Sequence, residues 1–179
     1  YNTVQSDALY LNKTDANTVF LPRTTANVVF LPSTGGVVSG STYFNSTIFT
    51  RGIIETANII TTPIGANTNF DVITQAVQYY TANAASNTTI NIRGNSGTSL
   101  NSYLNTGNST SVVLLFTNGS ANTYYPNVIQ IDGAPVTPKW QGGTTITAGN
   151  SNATDVYGFT VIKTGNATFA VFASQTKFS

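Results

Sequence analysis

The chain has no cysteine, no histidine and no methionine, and only 7 % of its residues are charged, against about a quarter in an ordinary soluble domain. Without cysteine no disulfide can staple it. Without cysteine or histidine it has no thiolate or imidazole to hold a transition metal. Stability then has to come from packing and from subunit association. Seven basic and six acidic residues leave a net charge of +1 and form no cluster, so no electrostatic stripe for nucleic acid can be drawn and none is expected as a partner. No apolar run approaches the length that spans a bilayer, and no charged-then-apolar leader opens the sequence, so membrane insertion is not expected. The absent initiator methionine reads as a chain that begins partway along a longer polypeptide.

With so few charges, solubility falls to Asn, Thr, Ser and Gln. Thr suits sheets, while the abundant Asn and Gly suit the turns between strands. The strongest positive signal is a ten-residue repeat. Val19-Phe20-Leu21-Pro22-Arg23-Thr24 recurs as Val29-Phe30-Leu31-Pro32-Ser33-Thr34, and Leu9-Tyr10-Leu11-Asn12-Lys13-Thr14 holds the same phase one period earlier. Asp15-Ala16-Asn17 and Thr25-Ala26-Asn27 separate the apolar triplets with turn-forming residues, and Pro22 and Pro32 remove a ladder donor at the end of each run. One narrow strand per repeat cannot hide Leu9, Leu11, Phe20, Leu21, Phe30 and Leu31, so each unit must borrow a core from a neighbour. Three chains wound together would close that interior without leaving sheet edges exposed, which predicts a homotrimeric, intertwined β-shaft.

Gly35-Gly36-Val37-Val38-Ser39-Gly40 marks a hinge or a change of winding, and Thr61-Thr62-Pro63-Ile64-Gly65 reads as a linker. Residues 1–61 are therefore assigned to shaft and neck, and 62–179 to a second domain. There the pattern predicts strands near Phe70–Ile73, Ala76–Thr81, Thr88–Ile92, Ser111–Phe116, Val128–Ile131, Asp155–Ile162 and Thr168–Ala173. Phe70, Ile73, Val77 and Tyr80 also fit a helical stripe, but the β-branched residues and the Tyr pair favour strand. Asp132-Gly133 predicts a tight hairpin turn whose second arm, carrying Pro135, is an edge strand. Thr164-Gly165-Asn166 predicts another hairpin turn. The fold class expected is all-β: the shaft followed by a β-sandwich tip of jelly-roll type.

Val136-Thr137-Pro138-Lys139-Trp140-Gln141-Gly142-Gly143-Thr144, followed by Gly149-Asn150 and Asp155-Val156-Tyr157-Gly158-Phe159-Thr160, resembles a pattern at the C-terminus of many bacteriophage virion and tail-fibre proteins. Phe70-Asp71-Val72-Ile73-Thr74-Gln75, Thr88 to Gly94 and the closing Ala173-Ser174-Gln175-Thr176-Lys177-Phe178 look like the same module, most similar to fibre modules of marine phages. The N-terminal Leu-Pro repeats and the Gly-Gly-Val-Val-Ser-Gly stretch look like phage fibre shafts. The resemblance implies a trimeric fibre in the virion, on tail or capsid, whose C-terminal tip meets a host-surface glycan or protein. Similar modules also cap or join fibres and contact other virion proteins, which is the alternative it leaves.

Catalysis is not expected. The only acids are Asp7, Asp15, Glu55, Asp71, Asp132 and Asp155. Two carboxylates suffice in principle for glycan hydrolysis, yet nothing in the spacing of Asp71 and Asp155 pairs them, and no general base accompanies the many Ser and Thr. No cofactor or metal is expected, because the acids are isolated. Ligand contact is assigned to aromatic residues in or beside the polar loops, Tyr103, Tyr124 and Tyr125, through stacking and Asn/Ser/Thr hydrogen bonds. Trp140, flanked by Lys139 and Gln141-Gly142-Gly143, either stacks on a sugar ring or plugs the end of the sandwich, and its recurrence across such modules favours the plug.

Overall fold

Alternation decides the architecture. In Thr88–Arg93 and again from Ala153 to Lys163 buried and part-exposed residues take strict turns, as strands with one face on a core must. The computed structural model describes residues 55–179. The strands are β1 (Ala57–Ile60), β2 (Asn67–Asp71), β3 (Val77–Asn83), β4 (Thr88–Arg93), β5 (Ser109–Asn118), β6 (Pro126–Ile131), β7 (Ala134–Val136), β8 (Lys139–Trp140), β9 (Ala153–Gly165) and β10 (Thr168–Phe178). One short helix, α1 (Leu100–Tyr103), interrupts them. They form two sheets, one ordered β1-β3-β5-β9-β10-β8 and the other β2-β4-β6-β7. The fold is all-β.

From β1 to β6 the chain changes sheet at every strand. Consequently β1, β3 and β5 stack parallel in one sheet, and β2, β4 and β6 stack parallel in the other. Parallel neighbours ordinarily need a crossover of a dozen or more residues; here the intervening strand of the opposite sheet is the crossover, so short connections suffice. Ala57 lies beside Val77 and Asn67 beside Thr89, so the first full circuits take about twenty residues. Ile60, Phe70, Tyr80 and Ile90, spaced ten apart, follow one another into or against the core from alternate sheets. The next circuit is longer because α1 and the loop after β5 are inserted in it. Antiparallel β9 and β10 then extend the larger sheet beyond β5, and β7 closes the smaller one against β6. Five of the eight ladders are parallel, whereas a jelly roll is built from antiparallel strands.

The core lies between the inner faces. Phe70, Ile90, Ile92, Ile129 and Ile131 from the smaller sheet meet Val112, Leu114, Phe116, Tyr157, Phe159 and Val161 from the larger. Phe116 and Tyr157 stack with ring centres 5.2 Å apart. The stripe that also fitted a helix resolves into two strands: Phe70 and Tyr80 enter the core from opposite sheets, while Ile73 sits exposed between them.

The Asp132-Gly133 turn forms as expected, with φ of 52° and 82°, both in the left-handed region that a tight primed turn requires. Pro135 lies in β7, at the edge of its sheet. The β9–β10 turn falls one residue later than expected: β9 runs through Gly165, and the corner is Asn166–Ala167, with Ala167 at φ 48°. The reason is Asn101, whose amide accepts from the Ala167 N–H at 2.8 Å and donates to the Asn166 side chain at 3.1 Å. That partner sits on α1, which pattern reading did not anticipate. The shaft residues Leu9, Leu11, Phe20, Leu21, Phe30 and Leu31 lie outside the described residues.

Candidate functional site

The residues expected to contact a ligand are divided between two ends of the sandwich. Tyr103 closes α1, ahead of the start of β5, and its side chain is 47 % exposed. Tyr124 and Tyr125 follow the far end of the same strand, which at about 3.4 Å per residue spans roughly 30 Å. The two polar loops therefore do not make one surface.

At the Tyr125 end the structure brings two of the candidates together. A groove of about 280 Å³ is lined by Tyr125, Val136, Pro138, Trp140, Thr145 and Ile146, with Asn127 and Thr137 supplying polar groups. Each wall has a local cause. The Tyr125 N–H donates to the Asn87 side chain at 3.1 Å, and its carbonyl accepts from the Thr88 N–H, so the strand start of β4 pins this residue. Tyr124 packs partly against the core, and its carbonyl accepts from the Asn118 amide at 2.9 Å. Trp140 occupies the inward position of β8, beside Ala173 of β10. Its ring meets Phe159 edge-on at 6.3 Å and is only 9 % exposed. One edge of the indole thus remains at the groove while its body fills the end of the core.

Lys139 points the other way, with its ammonium 5.5 Å from the centre of the Phe172 ring on β10, a cation over an aromatic face. Phe172, 44 % exposed, is the aromatic that pattern reading passed over. The strand period could have found it, since Val171 and Ala173 on either side are buried and the residue between them must face outward.

The acids do not converge. Asp71 lies on the outer face of β2 and binds Arg93 of β4 at 2.7 Å, both partly exposed. Asp132 reaches α1, its two carboxylate oxygens accepting from the Leu100 N–H at 2.6 Å and the Asn101 N–H at 2.9 Å. This answers the unpaired N–H groups at a helix start and adds a second role to a turn residue. Asp155 is fully buried in the larger sheet. Its carboxylate accepts from the Asn150 N–H and side-chain amide, both at 2.7 Å, and from the Tyr157 hydroxyl at 3.3 Å. Tyr157 in turn accepts from Gln175 at 3.1 Å. Burial, and then the neighbouring Asp155 charge, push the Tyr157 phenol far above its ordinary range. The cluster ties the loop before β9 to the core. Among the described residues no group of three metal-ligating acids, His or Cys comes together, and no helix is long and apolar enough to cross a membrane.

Compared with protein-family models, with curated proteins and with solved structures, the chain matches none.

Proposed function

We propose that this chain is a virion fibre protein of phage type: a homotrimer whose N-terminal repeats form the shaft and whose sandwich is the tip that engages a host-surface glycan or protein without catalysis. The observation that carries it is a shared period. Ile60, Phe70, Tyr80 and Ile90 enter the two-sheet stack every ten residues, and Tyr10, Phe20 and Phe30 recur at that spacing and in that phase. A strand unit that repeats along one direction is how elongated proteins are assembled, and the resemblance of both the repeats and the Lys139-Trp140 segment to phage fibres agrees with it.

The groove beside Tyr125 and Trp140 suits a glycan: aromatic edges for the apolar face of a sugar, with Asn127, Thr137 and Thr145 for its hydroxyls. A single weak site per tip is enough, because three tips on one axis raise the effective concentration for the second and third contacts. The carboxylates favour binding over hydrolysis, since Asp71 is paired with Arg93 on one sheet and Asp155 is buried in the other.

Full-length protein is expected to adsorb to susceptible cells and to block infection by the parent virus. Tyr125→Ala should weaken adsorption at least about tenfold while leaving the far-ultraviolet circular dichroism unchanged. Protein that ignores cells but binds purified virions would instead mark a decoration protein whose tip meets other virion parts. Release of oligosaccharide from isolated host polymer, lost in Asp71→Asn or Asp155→Asn, would mark a depolymerase.

A further inference from the structure

The end of the six-stranded sheet nearest Tyr124 carries a row unlike the one behind it. Tyr79, Leu115 and Val156 stand abreast and are apolar. Two residues nearer the strand ends, Asn83, Thr117, Thr154 and Phe178 stand abreast across β3, β5, β9 and β10, four strands that together span about 14 Å. None of these side chains is buried, and the Thr117 and Thr154 hydroxyls bond each other at 3.0 Å. Beyond the row the corners are tied: the Asn152 N–H donates to the Gly119 carbonyl at 3.1 Å, and Asn152 holds a φ of 50°, which asparagine tolerates better than most residues. Row and corners line one hollow of about 560 Å³. A Cβ at Gly119 would stand 3.1 Å from the Asn83 amide nitrogen, so glycine leaves that amide its room.

The strongest pointer to a ligand is Asn118, which lines the same hollow and is only 2 % exposed. Its amide nitrogen is committed to the Tyr124 carbonyl at 2.9 Å. Its Oδ1 is buried and has no hydrogen-bond partner in the protein. Buried acceptors are nearly always paired, so this oxygen is open to a donor from whatever fills the hollow, directly or through a bridging water.

We infer that this hollow is a binding subsite for a neutral saccharide. The inference deepens the glycan reading above, and rests on it, by giving the tip a second subsite and a class of sugar. Phe178, 57 % exposed, offers a ring to the apolar side of a sugar. The Asn83, Asn118 and Asn152 amides and the Thr154 hydroxyl offer donors and acceptors together, as sugar hydroxyls require. Charge selects the class. No charged side chain lines the hollow, so an acidic sugar would lose water there without gaining a counter-charge, and a divalent cation would find no carboxylate. Position agrees as well: through Asn118 and the Tyr124 carbonyl the hollow is joined to the same chain segment that supplies Tyr125 to the groove.

A glycan array probed with the full chain, followed by calorimetry on the tightest ligand, tests this. The array carries neutral oligosaccharides and their uronate- and sulfate-bearing counterparts. A neutral oligosaccharide should bind with an affinity that low and high salt leave unchanged, and its acidic counterparts should bind more weakly. Phe178→Ala and Asn83→Ala alter exposed side chains, and each should weaken that binding about tenfold or more while keeping the wild-type circular dichroism. Phe172→Ala, which removes an exposed aromatic outside the hollow, should leave it unchanged. Binding that is lost in Tyr125→Ala but untouched by Phe178→Ala and Asn83→Ala overturns the subsite, although the glycan reading stands. Acidic glycans that bind as tightly as neutral ones, or alone, overturn the class. An array without any ligand overturns the subsite; if cell adsorption also survives periodate oxidation of the surface sugars, the glycan reading falls with it.

Discussion

Tyr157 shows how a single buried group can set the pH range of the whole domain. Its phenol is held neutral by burial and by Asp155, far above the ordinary value of 10.0. In the unfolded chain it ionises near 10, so the folded state keeps a proton that the unfolded state releases, and stability must fall as pH rises past that value. Denaturant midpoints measured from pH 8 to 11.5 should drop for wild type and drop less for Tyr157→Phe. Asp155 faces three donors, and Asp155→Asn would turn an amide N–H toward one of them, costing about 2–4 kcal/mol by chemical denaturation. Gly149 is constrained by approach: a Cβ there would stand 2.1 Å from the Tyr124 carbonyl and 2.9 Å from the Asp155 carboxylate. Gly149→Ala should accordingly destabilise more than Asp155→Asn in the same assay, because backbone has to move. At a strand start Asp155 is expected to bond loop backbone, and the Asn150 N–H supplies that bond; its contact with Tyr157 and the close approach at Gly149 carried no local signal.

At the scale of elements, α1 is short and survives through its neighbours. Ser99 accepts from the Ser102 N–H at 3.0 Å, Asp132 takes the Leu100 and Asn101 N–H groups, and the buried Lys163 ammonium donates to the Asn101 and Leu104 carbonyls. Four residues cannot nucleate a helix alone. Asp132→Ala should therefore loosen α1 together with the hairpin, costing about 1–2 kcal/mol, with faster hydrogen exchange at Leu100 and Asn101. Ala167 at φ 48° occupies a conformation that glycine adopts freely. Ala167→Gly should raise the thermal midpoint by a few degrees, an effect worth about 0.5–1 kcal/mol. Strand positions were legible because burial alternates with period two and Asn, Gly and Ser mark the gaps. The helix was not, since Leu100-Asn101-Ser102-Tyr103 has no period to read and, apart from Ser99, its side-chain partners Asp132 and Lys163 lie more than thirty positions away.

For the whole molecule, the proposed homotrimer has a consequence for handling. Low concentrations of urea, which weaken hydrophobic contact, should dissociate the proposed homotrimer before the sandwich unfolds, giving two separated transitions by sedimentation and by circular dichroism. A single coincident transition would argue that association and folding are one event. The sequence by itself determined that the described part is all-β, where most strands lie, that Asp132-Gly133 turns tightly and that Pro135 sits at an edge, because each follows from a local backbone preference or a two-residue period. Tertiary structure alone decided that the strands from β1 to β6 pair with their second neighbours, that Tyr103 and Tyr125 fall at opposite ends, and that Trp140 shares a groove with Tyr125. Those outcomes depend on which sheet each strand joins, a choice settled by packing between distant residues and carried by no local pattern.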